Sequence, residues 1–247
     1  MVTLYQPHLL SQLLCAMLIL PYAGKIFADI HGAASVTSNY VGRGYSKSND
    51  QFSYQANIDY EHKTGGYLGA SMATVDFGDK GFANATRFEV TPYLGWSFSL
   101  SEDWRLDTQW SHYIYDGDIY GISSDYNEFY LFLHYRDIIS LAASFSEDYY
   151  DRGHPAGLFE MTGRYPITDF LEFSGSAGYT RTRKSIDYDY FYWNAGFTGF
   201  YKFLTLDLRY ADAITTASSH SHGDADYTSY YPEVLPATLF FSVAIGF

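Results

Sequence analysis

Cysteine is nearly missing: Cys15 is the only one in 247 residues, and it falls in the N-terminal segment. A chain that sheds that segment carries no disulfide, no thiolate metal ligand and no cysteine nucleophile. Leu13 and Leu14 stand where a lipoprotein signal wants a small residue before its cysteine, which excludes lipidation. Long apolar runs are missing too. Past residue 28 nothing approaches the ~20 apolar residues of a membrane-spanning helix. Charge is thin, at 17% of residues against roughly 25% in a typical soluble domain. Positive charge is thinner still, with 15 Lys and Arg against 28 Asp and Glu and a formal net charge of -13. Such a chain has no basic footprint for nucleic acid.

What is present is aromatic: 26 Tyr and 19 Phe bring the aromatic share to 20%. The last nine residues show how these side chains are used. Leu239, Phe241, Val243, Ile245 and Phe247 share one face of a strand. Thr238, Ser242, Ala244 and Gly246 take the other, with Phe240 the one large exception. In water such a strand is an aggregation-prone edge; in the wall of a barrel its apolar row faces hydrocarbon. The ending resembles the C-terminal signal that barrel insertion machinery recognises in bacterial outer-membrane proteins. At the other end, Leu9 to Leu20 is an apolar run closed by Pro21, and Ile26-Phe27-Ala28 offers a cleavage site. Residues 1–28 are therefore expected to be a signal peptide, and 29–247 the barrel.

Period-two alternation predicts twelve strands, at 31–41, 51–62, 67–77, 86–100, 104–115, 126–136, 138–146, 157–165, 170–181, 190–201, 203–213 and 239–247. Tight turns near Gly65, Glu102, Asp137, Thr168 and Lys202 alternate with longer polar loops. Pro92 removes a ladder donor and predicts a bulge or a local break. Even strand number and alternating turn length suit an all-β, twelve-stranded antiparallel up-and-down transmembrane β-barrel. A soluble sandwich or lipocalin-like barrel would bury the apolar parity instead. Length, thin charge, the export segment and the aromatic ending favour the lipid-facing alternative.

With the apolar parity outward, the other parity lines a lumen. It carries Asp59, Glu61, Glu89, Asp107, Glu128, Glu160, Glu172 and Asp207, with Arg105, Arg136, Arg164 and Arg209. Unpaired, such charges cost several kcal/mol each unless water reaches them. A wet lumen would favour cations; a lumen packed with Arg–carboxylate pairs and tyrosine would be nearly closed. His220 and His222, alternating with polar residues ahead of Asp224 and Asp226, are weak candidate zinc ligands in the longest loop, 214–236. Tyr188, Tyr190, Tyr192 and Trp193 suit an interfacial aromatic girdle, or stacking on sugars or lipid headgroups. An outer-membrane lipase needs a nucleophile, a base and an orienter. Ser111, His112 and His134 are the nearest material, but neighbours in a strand point to opposite faces and no G-x-S-x-G elbow is present. No enzyme and no cofactor are therefore expected.

The stretch Thr37-Ser38-Asn39-Tyr40-Val41-Gly42-Arg43-Gly44, with Ser46, Tyr60 and Gly65-Gly66-Tyr67-Leu68-Gly69, resembles the opening of the Gcw_chp family. Its usual form is similar to T-S-N-Y-x-F-R-G; here Gly42 stands at the aromatic position. The specific likeness spans about residues 31–77. The resemblance implies an exported Gram-negative protein similar to small outer-membrane barrels, and it assigns no catalytic or binding residue. The expected function is passive diffusion of small neutral or cationic solutes across the outer membrane, with outer-membrane lipid, insertion machinery and small solutes as partners. The rivals are a non-conducting structural or loop-displaying barrel and, remotely, the lipase.

Overall fold

The computed structural model describes residues 29–218 and 233–246. The chain opens with β1 (Asp29–Thr37), followed by a small hairpin of β2 (Val41–Gly42) and β3 (Tyr45–Ser46). Eleven longer strands come next: β4 (Ser53–Glu61), β5 (Gly66–Thr74), β6 (Phe88–Ser99), β7 (Trp104–Tyr115), β8 (Tyr126–Tyr135), β9 (Ile139–Ser146), β10 (Ala156–Thr168), β11 (Leu171–Arg181), β12 (Tyr188–Tyr201), β13 (Leu204–Ser218) and β14 (Thr238–Gly246). Each pairs antiparallel with its neighbour. The barrel closes where β14 meets β1, from Ala33 opposite Gly246 to Thr37 opposite Ser242. The twelve-stranded barrel is thus as the alternation predicts. Closure leaves no free edge, the condition for crossing hydrocarbon. The registers accumulate to a strand tilt of roughly 45° and a backbone radius of about 12 Å.

The facing is equally clear. Along β13, Leu206 and Leu208 are 51% and 48% exposed, while the alternating Thr205 and Asp207 are 3% and 4% exposed. On β14, Leu239, Phe241, Val243 and Ile245 point out, and Phe240, Ser242 and Ala244 point in. Phe247 lies outside the described residues. Outward aromatics gather in two bands. Trp96, Phe98, Trp104, Tyr165, Phe170, Tyr201 and Phe203 lie toward the tight turns, with Phe52, Tyr54, Phe145, Phe159 and Tyr179 toward the loops. Such bands mark the two interfaces of a membrane barrel.

Two local expectations are refined. Pro92 produces a break without a bulge: the ladder from β6 to β7 skips Thr91 and Pro92, yet Glu89–Tyr115 and Tyr93–Ser111 keep one register. The first strand stops at Thr37 instead of reaching Val41. There Ser38 bonds back to the β14 backbone, its N–H to the Phe241 carbonyl at 2.9 Å, and the chain turns inward.

Because the apolar row is the lipid-facing row, Leu208→Arg at mid-wall should destabilise the vesicle-folded barrel by about 2–4 kcal/mol. Reversible denaturant unfolding checks this; a neutral result would mean that Leu208 does not face hydrocarbon.

Candidate functional site

The loop-side half of the lumen is filled by chain that is not part of the wall. At the tip of the β2–β3 hairpin, Arg43 (φ 49°) and Gly44 (φ 85°) both take the left-handed backbone of a two-residue hairpin turn. A Cβ on Gly44 would lie 2.7 Å from the Tyr192 Cβ and 3.1 Å from that of Ala213, so glycine is required by packing as well as by φ. Asn39 organises the base: its amide donates to Asp50, and its Oδ1 accepts from the Ser46 hydroxyl at 2.6 Å.

Two cations hold the hairpin to the wall. Arg43 donates to both carboxylate oxygens of Glu128 at 2.8 and 3.0 Å, and to the Tyr130 hydroxyl. Ser144 donates to the same carboxylate at 2.5 Å, and Tyr130 at 2.7 Å. Lys47 donates to Glu89 at 2.6 Å, alongside Tyr115 at 2.7 Å and Tyr40 at 3.1 Å. Each carboxylate, 2% exposed, is thereby both neutralised and hydrogen-bonded, the condition under which burial is tolerated. Tyr149 and Tyr150, on the turn Tyr149–Asp151 between β9 and β10, complete the filling; the Tyr45 and Tyr150 hydroxyls are 2.5 Å apart.

The turn-side half is a polar chamber. Arg105 bridges Asp107 (3.4 Å) and Asp137 (2.9 Å), and the Tyr67 hydroxyl donates to Asp107 at 2.7 Å. Tyr93 donates to Asp59. Arg209 meets Asp207 at 2.9 Å, Asn194 at 2.9 Å and Ser174 at 2.7 Å. Arg164 reaches the Ser140 hydroxyl at 3.2 Å. Tyr67 lies where a side chain on Gly95 would stand, and Tyr93 where one on Gly69 would stand.

Of the residues assigned to the lumen from sequence, Glu89, Asp107, Glu128, Glu160 and Asp207 are buried on the inner face. Asp59, Glu61, Arg105, Arg164, Glu172 and Arg209 share its parity and are half-buried. Arg136 does not belong with them. It adopts a left-handed φ of 48° in the turn after β8, where its N–H still donates to the Asp103 carbonyl at 2.8 Å but its side chain is exposed and pairs with the Asp103 carboxylate at 2.7 Å. Bonding to that guanidinium holds the Asp103 carboxyl below its ordinary value. The girdle reading also needs correction: Tyr190 and Tyr192 face inward and pack on the hairpin, since the parity of β12 turns only Phe191 and Trp193 outward. Ser111 is buried inside while His112 lies outside, stacked on Trp110, and the His134 ring sits 2.8 Å from Ser140. His220 and His222 lie outside the described residues. Arg43, Lys47, Tyr149 and Tyr150 were not foreseen; an Arg-Gly pair able to take left-handed φ, in a segment with two of the scarce cations, was the available signal.

Residues 27–239 match the family described as "Bacterial protein of unknown function (Gcw_chp)". The chain belongs to the Gcw_chp family. No curated protein matches this Gcw_chp chain in sequence. Among solved structures it is similar to KdgM porin, with a TM-score of 0.53 and 8% identity over 88% of this chain and 97% of that one. The same figures hold for KdgM porin in complex with disordered oligogalacturonate. NanC porin gives 0.51 at 8% identity, over 89% of this chain and 99% of that one. At such identity the likeness is one of fold. The Thr37–Gly44 stretch, read from sequence as the Gcw_chp opening, is the stretch that turns the chain inward and carries Arg43 to Glu128.

The hairpin's position is testable with thiols. With Cys15 replaced by Ser, a Tyr45→Cys probe should react slowly with a polar maleimide. Adding Gly44→Val should speed labelling about ten-fold or more, since neither the backbone nor the Tyr192 contact accepts valine. Equal labelling in both backgrounds would place Tyr45 outside the lumen.

Proposed function

We propose that this protein is an outer-membrane channel of a Gram-negative bacterium, a narrow passive path for small neutral or cationic solutes whose outer mouth is constricted by the β2–β3 hairpin. The observation that carries the reading is the division of the lumen. Wall residues alone do not fill its loop-side half; a separate hairpin does, held at its charged contacts by Arg43–Glu128 and Lys47–Glu89. The turn-side half is lined with carboxylates, guanidiniums, hydroxyls and amides, which suit water.

Charge supports the preference for cations. Asp59, Glu61, Asp107, Glu172 and Asp207 outnumber Arg105, Arg164 and Arg209 in the chamber, and Arg43 and Lys47 are matched by Glu128 and Glu89 at the mouth. The likeness in fold to two porins supports the channel class. The apolar wall supports residence in lipid, and the alternating end of β14 supports delivery by the insertion machinery. A second reading has its own observation: Tyr190 is 0% exposed and Tyr149 2%, as in a closed core. On that reading the barrel is structural and displays its loops.

Planar-bilayer conductance separates them. The wild type should give small cation-selective steps, and Arg43→Ala with Lys47→Ala should enlarge them by at least about two-fold. Silence from both proteins would overturn the channel.

A further inference from the structure

The outer wall carries a groove that the passage through the barrel does not use. It lies toward the loop ends of β8 to β11, with a volume of about 860 Å³. Its floor is flat because Ala143 and Gly157 occupy outward positions there. Phe129, Phe145, Phe159 and Tyr179 form its sides, and all four are at least 40% exposed. Phe129 lies directly opposite Phe145, and Phe159 opposite Tyr179, so the rings border a continuous apolar trough. At the loop-side lip stand Arg181, at the end of β11, and Arg183 and Lys184, in the short helix α1 (Arg183–Ile186).

Three cations within four positions are conspicuous in a chain with 15 Lys and Arg and a net charge of -13. One carboxylate, Asp189, also lines the lip, but it is engaged locally. It accepts the backbone N–H groups of Thr182 and Arg183 at 2.9 and 2.8 Å and lies 3.9 Å from the Arg183 guanidinium. Among the described residues, Arg181 and Lys184 have no carboxylate within ion-pair distance. A lone apolar trough would mean little on a wall that is largely apolar. This one ends beneath cations, at the level where a lipid headgroup sits.

We infer that the groove is a binding site for a phosphorylated lipid, its acyl chains lying over Ala143 and Gly157 between the aromatic side walls and its phosphate at Arg181 and Lys184. Charge complementarity selects the lipid. Arg and Lys are the side chains that recognise phosphate, and basic residues beside a membrane attract anionic headgroups. A lipid without phosphate would fill the trough and leave Arg181 and Lys184 unanswered. The site is independent of whether the lumen conducts.

The test uses the full chain, folded in neutral detergent and titrated with bis-phosphorylated lipid A or with its dephosphorylated form, bound lipid being counted by native mass spectrometry. The phosphorylated lipid should be retained about ten-fold more strongly. Arg181→Gln with Lys184→Gln should abolish that preference. Gly157→Leu should weaken both lipids: a Cβ there has only the Ser144 carbonyl oxygen near it, at 3.7 Å, so the side chain fills the trough without disturbing the wall. Heat-modifiable migration on a gel verifies that each variant is folded. Equal retention of the two lipids by the wild type, or an unchanged phosphate preference in the folded Arg181→Gln, Lys184→Gln protein, would overturn the inference.

Discussion

Closure in hydrocarbon is the constraint from which the rest of this structure follows. A membrane offers no partner for a free backbone group, so twelve strands must meet end to end as β1 meets β14. A ring of that size encloses more space than wall side chains fill. The interior has to be wet or filled by something else, and this chain does each in a different half. The hairpin after β1 fills the loop-side half, which lets Glu89 and Glu128 be buried on the wall. Either carboxylate without its cation would cost several kcal/mol. Wall and hairpin are therefore matched parts.

Tyrosine abundance has the same origin. The inner aromatics are mostly tyrosine and the outer ones largely phenylalanine, because only the inner ones have polar work to do. Tyr40 and Tyr115 donate to Glu89, Tyr130 to Glu128, Tyr67 to Asp107 and Tyr192 to Glu160. A ring fills volume while its hydroxyl satisfies a carboxylate. The rings need room against the wall, and small partners supply it: Tyr67 crosses Gly95, Tyr93 crosses Gly69 and Tyr192 crosses Gly178. Glycine inside these strands costs propensity, and the ring that covers it restores packing.

How much of this was legible in sequence depends on the range of the interaction. Strand facing is local and periodic, so Leu206, Asp207 and Leu208 could be assigned without coordinates. Turns such as those at Gly65 and Lys202 announce themselves by residue type. Arg136 shows the limit of parity: at the first residue after β8, a left-handed φ cancels the alternation. Tyr190 and Tyr192 had the parity of interior residues, but their aromatic character suggested a girdle, and parity is the stronger signal because it is geometric. The hairpin was hidden for another reason. Tyr40 and Val41 continue the β1 pattern on paper, and the turn away from the wall is made by the bond between Ser38 and Phe241, two hundred positions distant. Arg43–Glu128 and Lys47–Glu89 are likewise too far apart in sequence for periodicity to reveal.

The manner of attachment determines how the hairpin could move. Buried ion pairs add little net stability, yet breaking one side is costly. The seated hairpin is therefore the position in which neither Glu128 nor Glu89 is left buried and unpaired. A second attachment links it to the far end of the chain. The Leu235 N–H donates to the Gly44 carbonyl at 2.7 Å, while its own carbonyl accepts from the Ala213 N–H at 3.1 Å. Leu235 thus sits between hairpin and β13 like a rung, and any rearrangement that carries residues 233–236 off the wall must also release the hairpin tip. The coupling is physical because one peptide segment serves both contacts, the Leu235 N–H toward the hairpin and the Leu235 carbonyl toward β13.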